Sequence, residues 1–108
     1  KDGRFLLGAW GFDDEVLFTL AEEEMDLAFQ NQEPFFMTIL TMTTHYPYKV
    51  PDPKFNLYDN QVQDFDYLNT YHYSDWALGE FIKKMEKKDY FDSTVFLFVG
   101  DHTHHRYL

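Results

Sequence analysis

The sequence predicts an α/β fold, and three observations support this fold class. Two segments with helical spacing alternate with two apolar segments rich in Phe, Thr, Ile and Val, which favour strands. The order along the chain is helix, strand, loop, helix, strand. The last segment is apolar at every position, as in strands buried inside a parallel sheet. Two parallel strands joined by a helix form a right-handed crossover, so we expect a parallel sheet.

The first predicted helix is Asp13–Gln30. Asp13 is a suitable N-cap, and the acid that follows it, Asp14, suits the positive end of the helix dipole. Apolar residues at i, i+3 and i+4 spacing form one face: Leu17, Leu20, Ala21, Met25, Ala28 and Phe29. The acidic run at 22–24, with Asp26, covers most of the other face. A solvated surface is favoured over a cation-binding strip for such a run.

The first predicted strand is Phe35–Thr43, which follows Pro34 and is rich in aromatic, Ile and Thr residues. It ends at the sequence Thr44-His45-Tyr46-Pro47-Tyr48. Residues 49–63 then contain two prolines and an asparagine, and they predict a loop of about 15 residues. A loop of this length is often part of a binding site.

The second predicted helix runs from Asp64 to Lys88. Its expected apolar face consists of Leu68, Tyr71, Asp75, Leu78, Ile82 and Met85, with Phe81 beside them. The acid within that face, Asp75, is expected to have a hydrogen-bond partner and a structural role. Four lysines, at 83, 84, 87 and 88, suit the negative end of the helix dipole.

The second predicted strand, Val95–Val99, follows a turn at 92–94 and ends at Gly100-Asp101-His102. In open α/β sheets, ligands bind beyond the carboxyl ends of the strands. Because both strands are predicted to be parallel, we expect His45 and the Asp101–His102 pair to project from the same edge of the sheet. His45 either contacts an anionic ligand there or caps the turn.

Asp101 and His102 are candidate metal ligands. A carboxylate oxygen and an imidazole nitrogen suit zinc or manganese-type ions, and Gly100 lets the backbone leave strand geometry so that both side chains reach one ion. The alternative is a strand-end turn in which Asp101 accepts hydrogen bonds from backbone amides, and the spacing leaves both readings open. His104 and His105 either extend the cluster or are loop residues. A complete site needs further ligands, and no catalytic nucleophile is identified in the chain.

Composition excludes several classes of protein. The chain has 108 residues, no cysteine and a formal charge of −10. It therefore has no disulfide, thiolate metal site or cysteine nucleophile, and the acidic balance argues against a nucleic-acid partner. No apolar run approaches the roughly 20 residues that span a bilayer. The chain begins at Lys1 without a signal peptide. Either a disordered or trimmed start or an internal piece of a longer protein is consistent with this beginning.

Two longer motifs carry a resemblance to a known family. They are Tyr71-x-x-x-Asp75-x-Ala77-Leu78-Gly79-x-Phe81-Ile82 and the sequence Tyr90-Phe91-Asp92-Ser93-Thr94 followed by 95–102. Together they resemble the sulfatase branch of the alkaline phosphatase superfamily. The strand end Thr44-His45-Tyr46-Pro47-Tyr48 is similar to that of the lipoteichoic acid synthases and related phosphoglycerol transferases, although Thr44 stands where those proteins have Asn.

The resemblance implies a fold and a set of site residues. Residues 1–108 are expected to be a fragment of one sulfatase-like catalytic domain, an alkaline-phosphatase-like sandwich whose central, largely parallel sheet is flanked by helices. The resemblance also makes Asp101 and His102 ligands of one divalent ion. Mn²⁺ is the expected ion, with Mg²⁺, Ca²⁺ and Zn²⁺ as alternatives. The resemblance makes His45 a contact to the phosphoglycerol group of the substrate, and it places the nucleophile upstream of this segment.

The implied function is part of a metal-dependent phosphoglycerol transferase acting on an anionic lipid such as phosphatidylglycerol or another glycerol-phosphate-type substrate. The expected location is the extracytoplasmic face of a bacterial membrane, with membrane contact through segments outside this chain, and the isolated fragment is expected to be inactive. One alternative is a sulfatase or other sulfuric or phosphoric ester hydrolase of the same superfamily. A second alternative is a non-catalytic module that retains the fold.

Overall fold

A computed structural model describes residues 11–103, and this part of the chain forms two long helices and two short 3₁₀ turns. Helix α1 is Asp14–Gln30 and helix α2 is Phe65–Met85. The 3₁₀ turns are Pro53–Phe55, within the long loop, and Phe91–Ser93, after α2. Neither helix in the described residues has the length and apolar character to cross a membrane.

Helix α1 confirms the predicted segment. Its N-cap is Asp13, whose Oδ1 accepts hydrogen bonds from the amides of Glu15 at 3.1 Å and Val16 at 3.4 Å. Two amides that have no partner inside the helix are thereby satisfied. The buried face includes Phe18 and Met25, whereas the acidic residues at 23 and 24 are exposed, as a solvated helix surface requires.

Helix α2 begins as predicted, after Asp64, but ends at Met85, three residues before the predicted end at Lys88. The chain tightens there, because the amide of Lys87 bonds the carbonyl of Lys84 at 3.2 Å and the amide of Lys88 bonds that of Met85 at 2.9 Å. These three-residue spacings are those of a 3₁₀ turn. The tighter turn accompanies a tertiary contact in which the Lys88 ammonium meets Asp26 of α1 at 2.9 Å.

The buried face of α2 differs from the predicted one. Tyr73, Ala77, Phe81 and Met85, spaced four residues apart, are all buried. Tyr71 is 60% exposed and Asp75 is exposed, so the prediction that they belong to the buried apolar face is wrong. The sequence of α2 has aromatic and aliphatic residues at helical spacing on two faces of the helix. Ring contacts with α1 decide which of these faces is buried. Phe18 of α1 stacks on Phe81 with ring centroids 4.8 Å apart.

One hydrophobic core joins the helices to the segments after them. Its buried members are Phe18, Met25, Phe55, Tyr73, Ala77, Phe81, Met85 and Tyr90. Phe55, from the 3₁₀ turn in the long loop, packs against Tyr73 at 4.8 Å and Trp76 at 4.7 Å between ring centroids. The loop is therefore fixed to α2 by an aromatic anchor at its centre.

The two predicted strands are not paired as a sheet in residues 11–103. Neither Phe35–Thr43 nor Val95–Val99 takes part in a β-ladder there, so the expected parallel sheet is not seen in this part of the chain. The physical reason is that a strand needs a neighbouring backbone for its hydrogen bonds, and these two segments do not supply that neighbour to each other.

The first segment nevertheless keeps the two-residue alternation of a strand. Met37 and Ile39 pack against the core, whereas Phe36 and Leu40, on the alternate positions, are exposed. In the second segment Phe96 packs against the core and Leu97 is 83% exposed. One face of the first segment therefore covers the helices. The second segment contacts the core through Phe96, but Phe98, two positions on, is 61% exposed.

Candidate functional site

His45 lies in a tight turn at the end of the first extended segment. Its amide donates to the carbonyl of Met42 at 3.0 Å, and its own carbonyl accepts from the amide of Tyr48 at 3.0 Å. The imidazole is exposed, with Nδ1 2.9 Å from the carbonyl oxygen of Tyr46, and the peptide bond between Tyr46 and Pro47 is cis. The turn therefore presents the ring to solvent at a fixed point of the backbone.

Tyrosine rings attach this turn to α2. Tyr48 is buried, and its backbone has φ +59°. A positive φ is energetically unfavourable for a residue of this size. Its ring meets Tyr46 edge-on at 5.9 Å and Tyr67 of α2 edge-on at 5.7 Å. Edge-to-face pairs of this kind stabilise the packed conformation by about 0.5–1.5 kcal/mol each. They help to offset the backbone strain at Tyr48.

A buried carboxylate holds the backbone just before the turn. Asp14, only 2% exposed, is the first residue of α1. Its Oδ1 accepts hydrogen bonds from the amide of Met42 at 3.1 Å, the amide of Thr43 at 3.0 Å and the Thr43 hydroxyl at 2.8 Å. Burial of a charge is tolerated when such donors surround it.

The other carboxylate oxygen of Asp14 reaches α2. Its Oδ2 accepts a hydrogen bond from the Ser74 hydroxyl at 2.7 Å, and the Asp14 amide donates to the Thr43 hydroxyl at 3.0 Å. One side chain thus connects the start of α1, the end of the extended segment and the middle of α2.

The neighbouring Asp13 forms a second link between the helices. The Tyr73 hydroxyl donates to Asp13 and accepts from the amide of Glu15 at 3.0 Å. Burial raises the pKa of the Tyr73 phenol, and the hydrogen bond to Asp13 raises it further, so the phenol keeps its proton. The carboxylates of Asp13 and Asp14 therefore both form hydrogen bonds that hold α1 against α2.

The long loop is held by a buried amide. Asn69 of α2 accepts from the amides of Leu57 at 2.9 Å and Tyr58 at 3.0 Å, and its own amide donates to the carbonyl of Tyr58 at 2.9 Å. The side chain is buried, and both its oxygen and its nitrogen are hydrogen-bonded to the loop. An open groove lies beside it, lined by 56–60, Phe65 and Asn69.

Asp101 and His102 lie together at the end of the second extended segment. The carboxylate Oδ2 is 3.5 Å from the imidazole Nε2, and both side chains are more than 70% exposed. The other carboxylate oxygen accepts the His102 amide at 3.0 Å, and Nδ1 is 2.9 Å from the carbonyl oxygen of Thr103. One oxygen therefore serves the turn, while the other faces the imidazole nitrogen.

This donor pair fits one divalent ion as part of a ligand set. Two donors about 2.1 Å from an ion at a tetrahedral angle are about 3.4 Å apart, close to the observed 3.5 Å between Oδ2 and Nε2. Within residues 11–103 no group of three His, Cys, Asp or Glu side chains could hold a metal. His104 and His105 lie outside the described residues. The sharing of one sheet edge by His45 and this pair stays a prediction.

Sequence reasoning missed the two side chains that organise this region, Asp14 and Asn69. The helical pattern of the sequence predicts Asp14 only as a favourable charge in the first turn of α1, and it predicts no role for Asn69. The partners of Asp14 lie 28, 29 and 60 positions away in the chain, and those of Asn69 lie 11 and 12 positions away. The available signal was slight: two consecutive acids at a helix start, of which only one can be the cap.

Comparisons with known proteins show which proteins this chain is similar to. The family model described as Sulfatase matches residues 2–108. A lipoteichoic acid synthase-like protein of Bacillus subtilis, YvgJ, is 31% identical over 98 residues, which is 87% of this chain and 15% of that protein. The lipoteichoic acid synthase of Staphylococcus saprophyticus is 33% identical over 97 residues, 85% of this chain and 14% of its own length. The chain thus spans about a seventh of these relatives.

A solved structure is also similar. It is the crystal structure of a protein in the alkaline phosphatase superfamily from Vibrio parahaemolyticus, with a TM-score of 0.67 and 37% sequence identity. The likeness covers 81% of this chain and 21% of that one. It supports the α/β fold class, although the described residues themselves form helices and unpaired extended segments.

Proposed function

Since this chain belongs to the Sulfatase family, we propose that it is part of a metal-dependent phosphoglycerol transferase. The observation that carries the proposal is the Asp101–His102 pair, whose Oδ2 and Nε2 lie 3.5 Å apart at the end of an extended segment. The names of two relatives, a lipoteichoic acid synthase and a lipoteichoic acid synthase-like protein, support transfer of phosphoglycerol as the reaction.

Asp101 and His102 would hold one divalent ion, Mn²⁺ first. Such an ion lowers the pKa of an attacking hydroxyl and stabilises charge on phosphoryl oxygens. His45 would contact the phosphoglycerol group from the turn that Asp14 and Tyr48 fix in place. A chain of charge −10 needs local positive charge to bind an anionic lipid, which is a further reason to expect a cation beside Asp101. The attacking hydroxyl comes from outside this segment.

The proposal also includes the anionic substrate and the cellular location of the enzyme. The substrate is a glycerol-phosphate ester such as phosphatidylglycerol, reached at the extracytoplasmic face of a bacterial membrane. Membrane contact would be made by segments outside this chain. No nucleic-acid partner is proposed, because the chain carries 19 acidic side chains against 9 Lys and Arg.

A test uses the full-length protein. Asp101→Ala should abolish Mn²⁺-dependent release of diacylglycerol from phosphatidylglycerol, because the ion loses one of its ligands. Asp92→Ala is the matched control, since it removes another exposed carboxylate near the same segment and should leave the activity unchanged. Full activity in Asp101→Ala would contradict the proposal.

The family description itself favours a second candidate, a sulfuric or phosphoric ester hydrolase. An assay with an aryl sulfate and an aryl phosphate separates the two functions. Turnover of either ester without transfer of glycerol phosphate to an acceptor identifies a hydrolase. Absence of turnover of both aryl esters and of phosphatidylglycerol, with each of Mn²⁺, Mg²⁺, Ca²⁺ and Zn²⁺, favours a non-catalytic module that retains the fold.

A further inference from the structure

The hydrogen bonds around Asp14 lead directly to His45. The Asp14 carboxylate accepts the Met42 amide at 3.1 Å, and the carbonyl of the same Met42 residue accepts the His45 amide at 3.0 Å. The Thr43 amide and hydroxyl bind the same carboxylate oxygen at 3.0 and 2.8 Å. Two consecutive residues are therefore fixed immediately before the turn that carries the imidazole.

The reference point for this turn is the start of α1 and not the loop. Asp14 is the first residue of α1, so the helix backbone sets its position. Its second oxygen accepts from Ser74 on α2 at 2.7 Å, which is a separate link between the two helices. In the described residues every buried side-chain polar atom has a hydrogen-bond partner, and removal of the Asp14 carboxylate would leave the Thr43 hydroxyl without this acceptor. A change at Asp14 must alter either the backbone at 42–43 or the link to α2.

We propose that Asp14 is a positioning residue for His45, acting through the backbone at 42–43. The inference rests on the proposed function, in which His45 contacts the phosphoglycerol group. Asp14 itself touches no substrate. Its carboxylate fixes the point from which the His45 turn starts, and the imidazole depends on that point because its own backbone bonds lead back to Met42.

Kinetics of the full-length protein provide the first test. Asp14→Ala should raise KM for phosphatidylglycerol more than it lowers kcat, and kcat/KM should fall roughly 10–100-fold, the cost of misplacing a binding group by about 1 Å. The Mn²⁺ concentration for half-maximal activity should not change, because Asp101 and His102 are untouched. A purely structural role predicts the opposite split, with less active protein at an unchanged KM.

Two further variants sharpen the result. Ser74→Ala is the matched control: it removes the bond from α2 but leaves the Met42 and Thr43 donors on Oδ1, so KM should stay at the wild-type value. Asp14→Asn keeps an oxygen for those donors and an amide that can bond Ser74, so it should recover most of the KM. Equal KM increases in Asp14→Ala and Ser74→Ala would overturn the inference.

Hydrogen–deuterium exchange with mass spectrometry gives a readout that does not need activity. Peptide 42–48 should exchange at least about tenfold faster in Asp14→Ala than in the wild type or Ser74→Ala. Unchanged exchange in that peptide would overturn the positioning role even if activity fell. If Asp14→Ala does not fold, Thr43→Val tests the same point more weakly: it removes the hydroxyl bond to Asp14 but leaves both amide bonds, so exchange in that peptide should rise by less than tenfold, and unchanged exchange would overturn the inference. A wild-type protein that releases no diacylglycerol would defeat the proposed function alone, since exchange still decides what Asp14 holds.

Discussion

At the scale of single residues, Asp26 on α1 shows how one carboxylate joins distant parts of the chain. It accepts from the Lys88 ammonium at 2.9 Å and from the Tyr90 hydroxyl at 2.7 Å, and Glu22 lies 3.5 Å from the same ammonium. Burial raises the pKa of the Asp26 carboxyl, but the hydrogen bonds from Lys88 and Tyr90 and the charge of Lys88 outweigh burial and hold it below its ordinary value. The same cluster raises the pKa of Lys88, chiefly through the hydrogen bond to Asp26.

This pKa direction predicts a pH dependence of stability. Because the folded-state pKa of Asp26 lies below its ordinary value of 3.8, its contribution is complete above pH 3.8 and is lost as the pH falls through the lowered pKa. Asp26→Asn should therefore lower the free energy of unfolding by about 1 kcal/mol at neutral pH, a modest figure because the side chain is partly exposed. The difference from wild type should vanish well below pH 3.8, as measured by urea denaturation.

Glu24→Gln is the control for this measurement. It removes the same charge from the same helix at an exposed position, so it reports the general effect of relieving repulsion in a chain of charge −10. A loss of stability in Asp26→Asn that is matched by Glu24→Gln, or that persists at low pH, would contradict the assignment.

At the scale of elements, α2 is defined by the face that α1 selects. Met85 has no exposed surface and packs in the core with Phe81 and Tyr90, whereas Tyr71 points away from that core and contacts Tyr67 at 5.8 Å between ring centroids. Both Met85 and Tyr71 belong to the apolar periodicity of the sequence. Only contacts across the helix pair distinguish them.

Truncation of these two side chains should have very different effects. Met85→Ala should lower the free energy of unfolding by about 2–5 kcal/mol, because it leaves a cavity in a closed core. Tyr71→Ala should cost less than about 1 kcal/mol, since it removes an exposed ring and one aromatic contact. Thermal or urea denaturation checks both, and a larger loss in Tyr71→Ala than in Met85→Ala would show that the buried face is misassigned.

At the scale of the whole molecule, apolar surface remains outside the helical core. The segment 95–99 exposes Val95, Leu97, Phe98 and Val99, and within the described residues no neighbouring backbone pairs with it. Exposed β-forming segments without a partner tend to pair with other chains. The strong negative charge opposes such association but does not remove the apolar surface.

We therefore predict concentration-dependent self-association of the 108-residue chain through this segment. Leu97→Glu should shift the chain towards monomer, as measured by size-exclusion chromatography with light scattering. Leu27→Glu is the matched control, because Leu27 is also exposed, at 50%, but lies on α1. Equal effects of the two substitutions would assign the change to net charge and not to the segment.

The sequence predicted those features that depend on neighbours within one or two turns. Local rules predict where the helices start: α1 at its Asp13 cap and α2 after Asp64. They also predict that the side chains of Asp101 and His102 lie close together. The motifs also identified the family, since residues 2–108 match the Sulfatase model. The roles of His45, Asp101 and His102 stay predictions that the proposed experiments address.

What the sequence by itself determined about this protein is therefore the position of its helices, its family and its candidate ligands. The tertiary structure alone decided which face of α2 is buried, where α2 ends and that Asp14 holds the backbone before His45. The physical reason is distance along the chain: Asp14 meets Thr43 across 29 positions and Ser74 across 60. The lack of a β-ladder between the two extended segments in residues 11–103 belongs to the same class, because a strand is completed only by a second backbone whose position no local pattern specifies.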